Sequence, residues 1–352
     1  MKESLPWIPW FQNPVLHNRC TGLYGFPGEA SVAFSSTLDS SPEITQRWVV
    51  QPFHTGGGLP GFSIPIQEAI ELTAENAQGF LPLLQGWNSQ FSYQQTSKTE
   101  FEKGVLSIQN DLNGKEGKVV LSVRQPVSLG SFNPIETFLT LRARYPQALV
   151  WYLSCPIFGT WIGASPEVLV QQRGSVLESW SLAGTRLASN PDWTPKERSE
   201  QAMVTQYLQQ AFLDFGLKPS IQSEPEEIEM GDLKHLRTRV VAEAEDSFPK
   251  EEVARLAAQI HPTPAVGAFP AFQVFERIQA LENQPRAYYS GYLGLQQTEQ
   301  TRFYVNLRCA EIQPHTAILF AGAGITPQSK PESEWIEVQR KADLMRTCLA
   351  LK

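Results

Sequence analysis

Tyr288-Tyr-Ser-Gly-Tyr-Leu-Gly-Leu295, Arg302-Phe-Tyr-Val-Asn-Leu-Arg-Cys-Ala-Glu311 and Thr316-Ala-Ile-Leu-Phe-Ala321 are three β-rich runs in close succession. Only a few residues separate each run from the next. A parallel crossover needs a dozen or more, so the three are expected to pair antiparallel. Downstream, a helix is expected over roughly Glu332 to Leu349. Upstream lie a Pro-rich turn at 261–270, a helix near 271–283, and a shorter helix at Glu251 to Ile260 that puts Val253, Leu256, Ala257 and Ile260 on one face. Pro195 to Phe215 carries Met203, Val204, Tyr207, Leu208, Ala211 and Phe212 as a helical stripe, opened by Thr194 as N-cap and Pro195 in the first turn. Strands are expected from Lys118, over Ala148 to Leu153, on either side of Gly163 to Pro166, and over Val176 to Leu182, with a helix at Pro134 to Arg144. The fold class is therefore α+β, built on a large, mainly antiparallel sheet system. The first hundred residues read as short apolar segments broken by turn chemistry at Gly56-Gly-Gly58 and Pro60-Gly61.

With 352 residues, 41% hydrophobic and 18% charged, the chain can bury a large core and house a cleft. Lys plus Arg number 29 against 36 Asp plus Glu, and the net charge of -7 without any basic run argues against a nucleic-acid partner. Cys20, Cys155, Cys309 and Cys348 are scattered without a Cys-x-x-Cys, and the five His have no zinc spacing, which suits a reducing cytoplasm. No run reaches the ~20 apolar residues of a membrane span. The Pro-interrupted stretch Met1 to Asn13 does not read as a signal peptide.

Two acidic pairs stand at i, i+3 near helix starts: Glu197 with Glu200, and Glu334 with Glu337. Taken singly, each reads as a solvated first turn, where the helix dipole favours acids. If the two helix starts face each other, four carboxylates converge in an all-oxygen arrangement that suits Mg²⁺. Phe320-Ala-Gly-Ala-Gly-Ile325 closes a strand with two glycines, which lets backbone amides approach an anion as readily as it makes a tight turn. Period-2 alternation puts Arg308 inside an apolar strand on one face with Tyr304 and Asn306; a charge there needs a partner, either a protein acid or a substrate carboxylate. Lys118 and Glu167 each mark the mouth of a strand. His261-Pro-Thr-Pro-Ala-Val-Gly267 is a Pro-fixed loop.

In sequence order, Gly163-Ala-Ser-Pro-Glu167, Ser181-Leu-Ala-Gly-Thr185, Lys196-Glu-Arg-Ser-Glu200, His261 to Gly267, Tyr289-Ser-Gly291, Leu307-Arg-Cys-Ala310, Ala321-Gly-Ala-Gly-Ile325 and Glu334-Trp-Ile-Glu337 resemble the chorismate-utilising enzymes. That family includes anthranilate, aminodeoxychorismate, isochorismate and salicylate synthases. The resemblance covers residues 105–350 or so and divides the chain into an N-terminal part at 1–104, reduced and weakly matched, and a catalytic region at 105–352, intertwined as one domain. It implies a β-sandwich with helices outside and a deep cleft that binds chorismate through Mg²⁺. Glu200 and Glu334 then resemble direct metal ligands, with Glu197 and Glu337 behind them. Tyr289, Arg308 and the backbone of Gly322, Ala323 and Gly324 resemble carboxylate binders, Lys341 a further contact, and Thr185 and His261 lining residues.

Within the family, anthranilate synthases have Gln where Lys118 stands, and aminodeoxychorismate synthases commonly carry a nucleophilic Lys where Ala183 stands. The resemblance therefore points to isochorismate synthase, an isomerase in which Lys118 activates water and Glu167 protonates the departing hydroxyl. Its product would feed menaquinone or siderophore synthesis. Salicylate synthase is the enzymatic alternative, anthranilate and aminodeoxychorismate synthases are weaker ones, and a non-catalytic binding relative is the alternative of another class. No glutamine amidotransferase partner is expected, and the chain should be a monomer or weak homodimer. Gln201, Ala268 and Asn306 depart from the family pattern.

Overall fold

The computed structural model describes residues 19–37, 45–53, 61–84, 86, 92–156, 158–190, 192–221, 224–244, 246–270, 274–298 and 300–349. The readings of Met1 to Asn13 and of Gly56 to Gly58 fall outside them. In chain order come β1 (Arg19–Gly25), β2 (Ser31–Thr37), β3 (Arg47–Gln51), β4 (Phe62–Pro65), β5 (Glu68–Leu72), α1 (Ala77–Phe80) and α2 (Lys98–Leu112). Next are β6 (Lys118–Ser128), α3 (Pro134–Arg144), β7 (Leu149–Cys155), β8 (Gly159–Ser165), β9 (Val168–Arg173), β10 (Val176–Leu187) and α4 (Pro195–Asp214). β11 (Ser220–Ile221), β12 (Glu226–Met230), β13 (Leu233–Glu243), α5 (Lys250–Ile260), β14 (Ala268–Phe269) and α6 (Val274–Leu281) follow. The chain closes with β15 (Tyr292–Gln296), β16 (Gln300–Val305), β17 (Cys309–Gln313), β18 (Thr316–Ile325) and α7 (Pro331–Arg346).

The strands form two antiparallel sheets. The first has the order β14-β6-β18-β17-β8-β7-β1-β2-β5; the second runs β11-β13-β10-β9-β16-β15-β3-β4, with β12 also on β13. The first hundred residues thus supply strands to both sheets. Three apolar cores separate four layers. Cys20, Trp48, Trp151, Trp161, Leu293, Tyr304 and Phe320 fill the space between the sheets. α2, α3, α6 and α7 cover the outer face of the first sheet over Val119, Leu121, Val150, Leu319 and Ala321. α4 and α5 cover the second over Val170, Leu177, Val240 and Phe303.

Alternation along β18 explains where the cleft opens. Ala317, Leu319, Ala321, Ala323 and Ile325 face the helices, whereas Ile318 and Phe320 fill the core between the sheets. Gly322 and Gly324 continue that inner row without side chains, so the inter-sheet core gives way to a cavity there.

The pairing of the three opening runs is antiparallel, with β15 on β16 and β17 on β18. The middle run, however, is not one strand. It breaks at residues 306–308, where Arg308 takes φ 46, and the chain leaves the second sheet for the first. Arg308 therefore stands at a crossing between sheets, not within an alternating strand with Tyr304 and Asn306. The other expected strand at 288–295 begins only at Tyr292. A second crossing, through Pro166 and Glu167, joins β8 to β9. The two crossings lie side by side: Val305 donates its amide to the Glu167 carbonyl at 3.0 Å, and Ala164 to that of Arg308 at 3.0 Å.

Candidate active site

The cleft encloses about 700 Å³, including its mouth to solvent. One wall is the inner face of β6 and β18. Their register sets Val120 opposite Gly324 and Ser122 opposite Gly322, and Lys118, 3% exposed, reaches the cleft from the start of β6. A Cβ on Gly324 would collide with Lys118 Cε and lie 2.7 Å from Glu200 Oε2, so this glycine is what makes room for both charged groups. The opposite wall is β10, with Leu182, Ala183, Gly184 and Thr185, backed by His235 of β13.

The sheet crossings supply the floor. Glu167 is 1% exposed; burial pushes its carboxyl up to about 8, against the opposing pull of the Lys118 ammonium, so it holds a proton at neutral pH. Its Oε1 has no protein partner. Arg308 is also buried, and desolvation pulls its guanidinium down to about 10, still charged at neutral pH. One of its nitrogens, Nη2, donates to His235 Nε2 at 2.5 Å, and the other, Nη1, has no protein partner. His235 Nδ1 lies 3.1 Å from the Gly184 carbonyl and 3.3 Å from Thr185 Oγ1. A neutral ring with its proton on Nδ1 satisfies both the donor and the acceptor, and burial together with Arg308 holds its pKa well below the usual imidazole value.

The two helix starts do face each other. Lys196 of α4 lies 3.0 Å from Glu200 Oε1 and 2.8 Å from Glu334 Oε1 of α7, and Lys118 lies 3.4 Å from Glu200 Oε2. Burial works against the Lys196 ammonium, but Glu200, Glu334 and Glu337 outweigh it and raise its pKa. Burial likewise raises Glu334, against the pull of Lys196. Glu337 is lowered: its burial is outweighed by Lys341 and Lys196. Lys341 Nζ bridges Glu337 Oε1 at 2.7 Å and the Gly322 carbonyl at 2.9 Å.

A model of the family described as chorismate binding enzyme matches residues 66–350. The chain belongs to that family. This chorismate-binding enzyme is 35% identical over 201 residues, 54% of its length, to a vibriobactin-specific isochorismate synthase of Vibrio cholerae, and the match spans about half of that relative, 50%. The fold is shared with a putative 2,3-dihydroxybenzoate-specific isochorismate synthase, DhbC, from Bacillus anthracis, at TM-score 0.76 and 22% identity over 97% of this chain and 98% of that one. It is shared also with an anthranilate synthase component I from Streptococcus pneumoniae, at TM-score 0.67 and 16% identity over 97% of each chain. The fold alone therefore does not choose between the activities named for these two proteins.

Of the expected site residues, Lys118, Glu167, Thr185, Glu200, Tyr289, Arg308, Gly322, Gly324, Glu337 and Lys341 all line the cleft of the chorismate-binding enzyme. Four do not. Ala323 points at the helix layer, as alternation requires. His261 turns away: its Nε2 lies 2.8 Å from the Ser290 carbonyl and its ring packs edge-on to Phe53 and Tyr292, so Ala265 and Val266 line the cleft from that loop instead. Glu197 accepts the backbone amide of Thr194 at 2.8 Å, closing a capping box at the start of α4. Glu334 lies behind Glu337 on Lys196. His235 was missed, because Leu233-Lys-His-Leu-Arg-Thr-Arg239 is interleaved with charge and did not read as a strand. Among the described residues no three acidic, His or Cys side chains form a ready metal cage, but the carboxylates of Glu200 and Glu337 both open into the cleft. No helix among the described residues is long and apolar enough to cross a membrane.

Proposed function

We propose that this enzyme converts chorismate to isochorismate, as the names of its relatives suggest for them. The observation that carries the reading is Glu167: a wholly buried carboxyl, raised to about 8, near Lys118 in a cleft whose Ala183 offers no amine. Arg308, whose Nη1 has no protein partner, and Tyr289 both line the cleft and would receive a substrate carboxylate. β17 pairs with β18 only as far as Ala310 opposite Leu319, which leaves backbone amides near Gly322 and Gly324 for the same purpose. Lys118, acting as the neutral amine, would take a proton from water as the water oxygen bonds to ring C2. Both ring double bonds shift, C1=C2 to C1=C6 and C5=C6 to C4=C5, the C4–O bond breaks, and Glu167 delivers its proton to the departing hydroxyl, so water enters and water leaves.

Glu200 and Glu337, with a substrate carboxylate and water, form an all-oxygen donor set that fits Mg²⁺. When bound, the ion would supply positive charge for the C1 carboxylate and neutralise the Glu200 charge that now faces Lys118. Chromatography of the products formed from chorismate and Mg²⁺, with and without an ammonium salt, tests the proposal. Isochorismate is expected in both cases. Anthranilate or aminodeoxychorismate would refute water as nucleophile, and salicylate with pyruvate would replace this reading with salicylate synthase.

A further inference from the structure

β10 is irregular where it enters the cleft. Its register on β13 slips between Ala183 and Thr185, and Gly184 takes φ 69. This bulge sets Ala183, Gly184 and Thr185 on the cleft wall. Gln201, one residue beyond Glu200 on α4 and 2% exposed, binds the strand just ahead of it. Its Oε1 accepts the Ala183 amide at 3.1 Å, while its Nε2 donates to the Ser181 carbonyl at 3.1 Å and to Thr238 Oγ1 at 2.9 Å. Thr205 braces the same place, donating to Ser181 Oγ at 3.0 Å and to the Gln201 carbonyl at 3.1 Å. One primary amide therefore holds a donor and an acceptor on either side of Leu182. The bulge in turn presents the Gly184 carbonyl to His235 Nδ1, and His235 Nε2 receives Arg308.

We infer that Gln201 is a positioning residue: its amide fixes the bulge of β10 and, through the Gly184 carbonyl and His235, the aim of Arg308 at the substrate. The assignment to substrate rests on the proposed function; the clamp itself does not. An apolar residue of the same length removes both ends of the clamp, whereas His keeps one acceptor and one donor.

The test pairs steady-state kinetics on chorismate with hydrogen exchange of residues 181–185 in the full chain. Gln201→Met should raise KM about tenfold while kcat falls less than about threefold, because binding geometry is lost and the acid and base are untouched. Exchange at 181–185 should quicken in the same variant, and Gln201→His should recover most of both effects. Thr238→Val, which removes one partner without altering α4, should give a smaller rise in KM, about threefold, and remains readable if the Met variant fails to fold. A Gln201→Met or Thr238→Val enzyme with unchanged KM and unchanged exchange would overturn the inference, as would a lowered melting temperature with KM intact. The exchange measurement needs no turnover, so a wild-type chain that makes no isochorismate would count against the proposed reaction and leave the clamp still under test.

Discussion

Glu167 owes its chemistry to where the chain changes sheets. A carboxyl buried at a crossing is costly as an anion, and its pKa of about 8 against the ordinary 4.5 expresses that cost. In the role proposed for it, Glu167 must hold its proton, so kcat/KM should fall as pH rises through about 8, and Glu167→Gln should lose that limb together with about 10²-fold or more of kcat. Stability moves the same way. The folded state binds a proton that the unfolded chain releases above about 4.5, so the contribution of Glu167 is present below that pH and is lost as pH rises to about 8. Thermal melts should show Glu167→Gln gaining on wild type across that window and holding a constant lead above it; parallel curves would count against a raised pKa. Lys118→Ala should lower kcat about 10²-fold or more while chorismate still binds. Gly324→Ala, whose methyl would push aside Lys118 Cε and Glu200, should cut kcat tenfold or more with little change in melting temperature, since the displaced atoms are the ends of side chains.

At the scale of elements, the two acidic helix starts meet, and their four carboxylates have different surroundings. Glu197 caps α4, Glu334 holds Lys196, and Glu200 and Glu337 face the cleft. Glu197→Gln should therefore leave Mg²⁺ activation near normal, whereas Glu200→Gln should abolish it; equal effects in a Mg²⁺ titration would restore the four-acid arrangement. Lys196 joins α4 to α7, and removing one partner of a buried pair costs on the order of 3 kcal/mol. Lys196→Met should melt earlier in the presence of a chelator and regain more on adding Mg²⁺ than wild type does. The helical stripes and the capping residue Thr194 were legible because local periodicity and end chemistry suffice for them. The break at 306–308 was not, because an apolar run that changes sheets looks locally like one that does not. His235 was hidden for a related reason: β13 alternates buried Leu233, His235 and Thr238 with paired Lys234, Arg237 and Arg239, and only the sheet reveals which face is inside.

Across the whole molecule, two stacked antiparallel sheets share one apolar core that stops where β18 runs out of side chains. That a large antiparallel α+β fold was legible follows from three short connections; that the chain passes twice between the sheets at adjacent points depends on contacts far apart in sequence. Those crossings bring Glu167 and Arg308 to the floor of one cleft, beneath a wall built by β6, β10, β13 and β18. On the proposed reading, Ala183 leaves β10 without an amine in the cleft and solvent water becomes the new ring hydroxyl. Mass spectrometry of the product formed from chorismate and Mg²⁺ in water enriched in heavy oxygen tests it most directly. Isochorismate carrying the heavy atom at C2, with the enolpyruvyl group unlabelled, is the predicted result. Isochorismate without label would contradict it, since the hydroxyl would then have migrated within the substrate and Lys118 would have no water to activate.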